Sequence, residues 1–304
     1  MFVVLPWMIV VAMVLLMGYF MGWWHARRWG RKCEKLMRTL PEVESVGRTG
    51  KAFGKLRLGW LGHGTLHLEL GGLRILVDPV LGSVSGMRRC LPNSEWILGE
   101  HWDLVLITHG HMDHLHPHTL KRLKMGEVLM PEKTEQLLPH SLRDSLPIRR
   151  LREGEAFRSG TVTIRPLSAR HGGWRFPWQR GYRAFSYLLE AEETRVFVAG
   201  DSAYFPGFAE YGVRHKPDVA VLPIGAYAPR WFLSDKHMNP EEAAQAAMDL
   251  RAGCVVPVHF GTYRLSLEPV EEPLMRFSKI ALSKKLVWSL PADAESVYPE
   301  PDDS

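Results

Sequence analysis

Leu104-Val105-Leu106-Ile107-Thr108-His109-Gly110-His111-Met112-Asp113-His114 decides how this 304-residue chain is read. Its first four residues are aliphatic, two of them β-branched, and they predict a strand buried on both faces. The strand runs directly into two histidines two apart, then an aspartate and a third histidine. A chain leaving a strand end can aim alternate side chains, His109 and His111, at one point. The next turn then offers Asp113 and His114 to a point beside it. Imidazole and carboxylate suit zinc, iron or manganese, and so dense a nitrogen and oxygen cluster is costly unless a cation occupies it. His116 and His118 follow, so a solvated histidine-rich loop is the alternative, but the position immediately after a buried strand favours the metal.

Outward from this point the chain alternates short apolar runs with turn residues. Strands are expected over 56–61, 66–70, 73–77, 104–107, 128–130, 162–167, 185–189, 196–199, 219–222, 255–258 and 286–288. Gly71-Gly72 marks a hairpin. Helical patterns fall at 117–124 and 240–251, the second with Asn239 as N-cap and Pro240 at the first helical position. The class is α/β with two sheets. No internal repeat is present. Three scattered cysteines, Cys33, Cys90 and Cys254, never form a CxxC pair, which speaks against a disulfide scaffold and a thiolate zinc ribbon.

Composition excludes collagen-like and wholly disordered chains, since 46% of residues are apolar and 23% charged. The net charge of +5 is concentrated in 25–38, where Arg27, Arg28, Arg31, Lys32, Lys35 and Arg38 face the single acid Glu34. The remainder sums to zero, so no nucleic-acid stripe is required. From Phe2 to Trp24 there is no charged residue. At about 1.5 Å per helical residue that run can cross a hydrocarbon core of about 30 Å, and it reads as one transmembrane helix. Tyr19, Trp23 and Trp24 suit an interfacial belt, and the basic run behind them keeps the bulk of the chain on the cytoplasmic side. The expected organisation is an anchor at 1–24, a basic juxtamembrane segment and linker at 25–52, a globular domain at 53–290 and an acidic tail at 291–304. Localisation is accordingly expected to be single-pass membrane with the globular domain cytoplasmic.

Through its HxHxDH run the sequence resembles the metallo-β-lactamase superfamily over about residues 55–290. The resemblance implies a four-layer αββα sandwich. It also implies a ligand set in which His109, His111 and His171 hold one metal, Asp113, His114 and His259 hold the other, and Asp201 bridges them. His171, Asp201 and His259 each follow a predicted strand, and Cys254 is a small buried hydrophobe rather than a ligand. Trp60-Leu61-Gly62-His63-Gly64-Thr65 and Leu76-Val77-Asp78-Pro79 match as well. They place Asp78 behind the ligands, accepting the free ring N–H of a histidine, with His63 as a second outer residue. The implied cofactors are two divalent ions, zinc first, with iron or manganese as alternatives.

Within the superfamily the nearest resemblance is to the N-acyl-phosphatidylethanolamine-hydrolysing phospholipase D group. It rests on Trp60 to Thr65, Arg170-His171-Gly172-Gly173-Trp174, Phe197 to Tyr204, Pro223 to Tyr227, His237 to Ala243 and His259-Phe260-Gly261-Thr262. The chain departs from that group at Phe260 and near Ala184, where Trp is usual, which bears on substrate rather than on metal. The resemblance implies a membrane-anchored dinuclear-metal phosphodiesterase acting on N-acyl-phosphatidylethanolamine or a related glycerophospholipid through a metal-bridging hydroxide. Asp113 and His237 are the candidate catalytic side chains. Trp174, Arg175, Trp178 and Tyr227 are the candidate substrate contacts. The alternatives are a lactonase or sugar-phosphate lactone hydrolase with the same ligands, and a binding protein that keeps the fold without turnover. The expected partners are phospholipid and membrane, not nucleic acid.

Overall fold

The computed structural model describes residues 56–290 other than 92, 177 and 180. The expected anchor, linker and acidic tail lie outside the described residues. Among those described, no helix is long and apolar enough to cross a membrane.

Six strands, β1 (Arg57–Trp60), β2 (Leu66–Leu70), β3 (Leu73–Val77), β4 (His101–Leu106), β5 (Lys124–Pro131) and β6 (Ile148–Leu151), form one sheet in chain order. A second sheet holds β7 (Phe157–Ser159), β8 (Val162–Gly172), β9 (Arg183–Ala191), β10 (Thr194–Val198), β11 (Val219–Pro223) and β12 (Cys254–Val258). The first is antiparallel from β1 to β3 and parallel from β3 to β6; the second is antiparallel from β7 to β10 and parallel from β10 to β12. Helices α1 (Pro117–Leu120), α2 (His140–Ser145), α3 (Gly207–His215), α4 (Arg230–Leu233), α5 (Pro240–Asp249) and α6 (Glu272–Lys284) complete the fold.

Period-two alternation builds the layers. On β4, Leu104 and Leu106 join the core shared with the second sheet, while Val105 and the following Ile107 join Leu115, Leu120 and Leu142 beneath the helices of the first. Leu66, Leu68, Ile75 and Val77 meet Val162, Ile164, Tyr187 and Leu189 in the larger core. The same core takes in Ala243 and Ala247 of α5 and Phe277 and Ala281 of α6. Parallel strands covered on both faces need the near-continuous apolar sequence that β11 and β12 have. The result is the α/β fold with two sheets and flanking helices.

Several expected elements differ. The pattern at 117–124 forms only one helical turn, because the chain must reverse to enter β5 at Lys124. The run at 286–288 is not a strand of either sheet; Trp288 makes one isolated bridge to Val255. β6, with two arginines among four residues, and the three-residue β7 carry too little apolar pattern to be read. α3 and α6 were not expected, although Leu274, Phe277 and Ala281 fall at helical spacing on the buried face of α6. At α5 the reading holds in detail, with Asn239 accepting from the Glu242 amide at 2.8 Å and Glu242 accepting from the Asn239 amide at 3.0 Å.

Close packing of α3 on α5 supplies a test of this layer. A Cβ on Gly212 would lie 2.0 Å from the carbonyl oxygen of Asp249. Gly212→Ala should therefore destabilise the fold by about 1–3 kcal/mol despite alanine's better helix propensity, read as a lower urea midpoint. An unchanged or higher midpoint would show that the two helices are not in this contact.

Candidate metal centre

The two sheets deliver their strand ends to one place. β4 stays in its ladder through Ile107, whose amide donates to Leu129 O at 2.8 Å, and then releases the chain at Thr108. One turn comes next, with the His114 and Leu115 amides both donating to His111 O. That turn swings Asp113 and His114 to the side of His109 and His111. Gly110 has no room for a side chain, since a Cβ would meet the Gly173 carbonyl oxygen at 2.5 Å. Asp201 leaves the end of β10 behind Gly200, which has φ +61°, and His259 leaves β12 in the left-handed region at φ +62°. His171 differs from expectation. It does not follow a strand ending at Leu167 but lies within the last residues of β8, inside a register irregularity between Ser168 and Gly172. The irregularity turns the strand so that His171 reaches the cluster.

Around Asp201 the side chains form two groups. In the first, His109 Nε2 lies 2.9 Å from His111 Nδ1, which lies 3.1 Å from His171 Nε2. Asp201 Oδ2 sits 3.8 Å from His109 Nε2 and 3.9 Å from His171 Nε2. In the second, Asp113 Oδ2 lies 3.8 Å from His114 Nε2 and 3.7 Å from His259 Nε2. Asp201 touches this group too, with Oδ2 3.2 Å from His114 Nε2 and Oδ1 3.1 Å from His259 Nε2. His63 Nε2 lies 2.9 Å from Asp113 Oδ2, inside the same group of four possible ligands. Each group could hold one cation.

The donor set fits a metal. His114 Nε2, both ring nitrogens of His259 and Asp201 Oδ1 are buried with no hydrogen-bond partner among the described residues. Buried polar atoms are otherwise almost always paired, so His114 Nε2, His259 Nε2 and Asp201 Oδ1, which lie together, call for a cation. The opposite ring edges of His114, His109 and His171 are held instead. His114 Nδ1 lies 2.7 Å from Asp78 Oδ2, His109 Nδ1 lies 2.9 Å from Thr108 Oγ1, and His171 Nδ1 donates to Lys236 O at 2.9 Å. Asp78 also accepts from the Thr108 amide at 2.8 Å and the Thr108 hydroxyl at 2.6 Å. A buried carboxylate thus orients His114 directly and His109 through one hydroxyl, leaving the inward nitrogens to coordinate.

Electrostatics sort the rings. Burial pushes His63 down to about 3 and His171 down to about 4, and holds His109 and His237 well below the usual histidine range. Burial thus favours the neutral ring at all four, the form in which His109 and His171 can ligate. Burial opposes the charge on His114 and His259 as well, but Asp201 and the other carboxylates outweigh it, lifting His259 to about 9 and His114 well above its ordinary value. For Asp113 and Asp201 burial acts upward and the surrounding histidines win, holding both well below the usual carboxylate range. His237 Nδ1 lies 3.9 Å from Asp201 Oδ2 and has no hydrogen-bond partner among the described residues. Its ring stacks at 30° against His259 and meets His171 edge-on.

The candidate substrate contacts divide. Trp174 stands edge-on to His111 with ring centroids 6.1 Å apart. Trp178 is 75% exposed and stacks on Phe176 at 3°. Arg175 and Tyr227 do not offer their polar ends to a substrate. The Arg175 guanidinium is committed to three main-chain carbonyls, and Tyr227, only 3% exposed, donates its hydroxyl to Glu272 at 2.9 Å beneath Arg276. Sequence reasoning missed Thr108, whose signal was its place just before His109. It also missed Glu268, which accepts from the Ala226 and Ala228 amides and fixes the loop after β11, and which carries no local signal. Cys254 is buried and free, with burial pushing its thiol up to about 11, in keeping with a packing role.

Comparison with known proteins agrees with this geometry. Residues 73–260 match the family described as Beta-lactamase superfamily domain. An uncharacterized protein of Mycobacterium tuberculosis is 33% identical over 260 residues, covering 81% of this chain and 69% of that one. A protein named N-acyl-phosphatidylethanolamine-hydrolyzing phospholipase D 1, from Caenorhabditis elegans, is 31% identical over 67% of this chain and 63% of its own length. A protein of Caldivirga maquilingensis named as a metal-dependent hydrolase is 30% identical over 71% of this chain and 86% of its own. Among solved structures, the metallo hydrolase Igni18 of Ignicoccus hospitalis aligns with a TM-score of 0.60 at 20% identity, covering 78% of this chain and 95% of that one, which is a likeness of fold. The chain belongs to the metallo-β-lactamase superfamily. It is a metal-dependent hydrolase of that superfamily.

Asp78 offers a test of the outer partners. Asp78→Asn keeps the shape and the acceptor for the Thr108 amide, but an amide NH2 facing His114 Nδ1 selects the tautomer whose Nε2 carries the proton. Affinity for divalent metal should fall about 10–100-fold, measured by chelator competition. Unchanged affinity would remove Asp78 from the account.

Proposed function

We propose that the chain is a dinuclear-metal phosphodiesterase of phospholipase D type, acting on N-acyl-phosphatidylethanolamine or a related glycerophospholipid. The observation that carries the two-metal part is Asp201, whose two carboxylate oxygens face both histidine groups at once. In this reading His109, His111 and His171 hold one ion, Asp113, His114 and His259 hold the other, and Asp201 is shared. The ions are zinc first, with iron or manganese open to the same donors. When bound, such a pair supplies Lewis acidity and brings the pKa of water toward neutrality.

The chain's own residues do the rest. His237, neutral and shielded by its neighbours, presents Nδ1 beside Asp201, where the tautomer that carries its proton on Nδ1 can donate a hydrogen bond to a phosphoryl oxygen. Hydrolysis in this sense breaks the phosphorus–oxygen bond to the N-acylethanolamine head group and leaves phosphatidic acid. Asp113 is tied to His63, which fixes the direction of its carboxylate.

Support for a lipid substrate comes from three sides. A relative at 31% identity carries that activity in its name. The loop after His171 exposes the Phe176 and Trp178 stack, and α4, four residues before His237, exposes Trp231 at 85% and Phe232 at 53%. Aromatic side chains in such number at loops suit a headgroup boundary. The uncharged run from Phe2 to Trp24 would hold the domain at that boundary, with the basic run behind it keeping the catalytic domain on the cytoplasmic side.

The test is to incubate the zinc-loaded full chain with vesicles of total membrane phospholipid and, separately, with soluble lactones, reading lipid products by mass spectrometry. Phosphatidic acid and N-acylethanolamine should appear, and Asp201→Asn should lower their formation by more than about 100-fold. Faster turnover of a lactone with no lipid product would contradict the reading and favour the lactonase alternative.

A further inference from the structure

Arg175 belongs to the segment that connects β8 to β9, and its guanidinium serves three carbonyls at once. Nε donates to Gly110 O at 2.7 Å, Nη2 to Leu115 O at 2.7 Å and Nη1 to Leu137 O at 3.3 Å. Gly110 and Leu115 are the residues on either side of 111–114, the turn that supplies His111 to one group and Asp113 and His114 to the other. Gly110 is held a second time, its amide donating to Gly173 O at 3.2 Å. The far end of the segment is closed on Arg175 itself, since Gln179 Oε1 accepts from the Arg175 amide at 2.9 Å and the Phe176 amide at 3.1 Å.

The turn's own bonds, from the His114 and Leu115 amides to His111 O, close it on itself, and the Arg175 guanidinium adds a link from outside that ties both of its flanks to Leu137. The placing of His111 against Asp113 and His114 depends on both sets of bonds. A planar guanidinium with donors on separate edges can brace carbonyls on different elements, whereas an ammonium is a compact point charge on a flexible stem. Bonds from a charged donor are also the stronger kind.

We propose that Arg175 is a positioning residue that braces both ends of the 111–114 turn and so sets the spacing between the two ligand groups. This inference rests on the metal reading of the site given above. It gives Arg175 a role other than the substrate contact expected from sequence, and it requires no contact between the guanidinium and substrate.

The test uses cobalt(II), whose visible spectrum reports coordination geometry, added to the metal-free full chain. Wild type, Arg175→Ala, Arg175→Lys and Gln179→Ala are titrated, and the unfolding midpoint of each metal-free form is recorded. Both Arg175 variants should bind cobalt about 10–100-fold more weakly, with altered visible bands, while their metal-free midpoints stay close to wild type. Gln179→Ala should show a smaller loss in the same direction. Should Arg175→Ala fail to fold, the lysine and Gln179 variants carry the test. Wild-type affinity and spectrum in Arg175→Lys would overturn the proposal, because a point charge would then suffice. A loss of midpoint with unchanged cobalt spectra would overturn it too, since Arg175 would then only support the fold. No cobalt uptake by wild type would instead sink the metal reading itself.

Discussion

Two carboxylates and seven imidazoles converge within the protein, and Asp201 stands at the meeting point of their two main groups. Burying an ion costs roughly several kcal/mol even after relaxation, so this convergence is tolerable only if opposite charge is supplied from within. Without cations, His114 and His259 must carry protons to balance Asp113 and Asp201, as their raised affinity for protons shows. With cations, the same atoms become ligands and the protons leave. The arrangements around the site serve that exchange, holding the outer nitrogens of His109, His114 and His171 so that the inner ones remain free.

The fold makes the convergence possible in conformational terms. β4, β10 and β12 are buried, hydrogen-bonded strands, and the carboxyl ends of all three open at the same rim. Ligands placed just past a rigid strand end inherit its position, which loops alone would not provide. Where a strand cannot end in time, as in β8, the register irregularity redirects it so that His171 still arrives. Left-handed backbone at His259, Asp78 and His63 belongs to the same device, with strain concentrated around the site and held there by the surrounding bonds.

Much of this was legible in the sequence, for identifiable reasons. The run after β4 compresses four donors into the six residues 109–114, whose pattern and chemistry pointed to a metal on their own; Asp201 and His259 were reached through the family resemblance, each just past a strong aliphatic strand. Asp78 was readable through the resemblance carried by Leu76 to Pro79, which places a carboxylate directly past a strand. The inward contacts of Arg175 and Tyr227 were not readable. An arginine among aromatics has the composition of a surface patch, and only the fold shows its guanidinium turned inward to main-chain carbonyls that have no signature in sequence. β6 and β7 were hidden by their charge and shortness, whereas α6 was overlooked despite a clear helical spacing at Leu274, Phe277 and Ala281.

The central claim, that the Asp201-centred cluster is a divalent metal site with two compartments, is tested most directly by anomalous X-ray diffraction from crystals of the zinc-loaded protein at the zinc edge. The account predicts two anomalous peaks flanking the Asp201 carboxylate, one among His109, His111 and His171 and one among Asp113, His114 and His259. Diffraction with no anomalous peak in either compartment, and ordered water alone on His114 Nε2 and His259 Nε2, would contradict it.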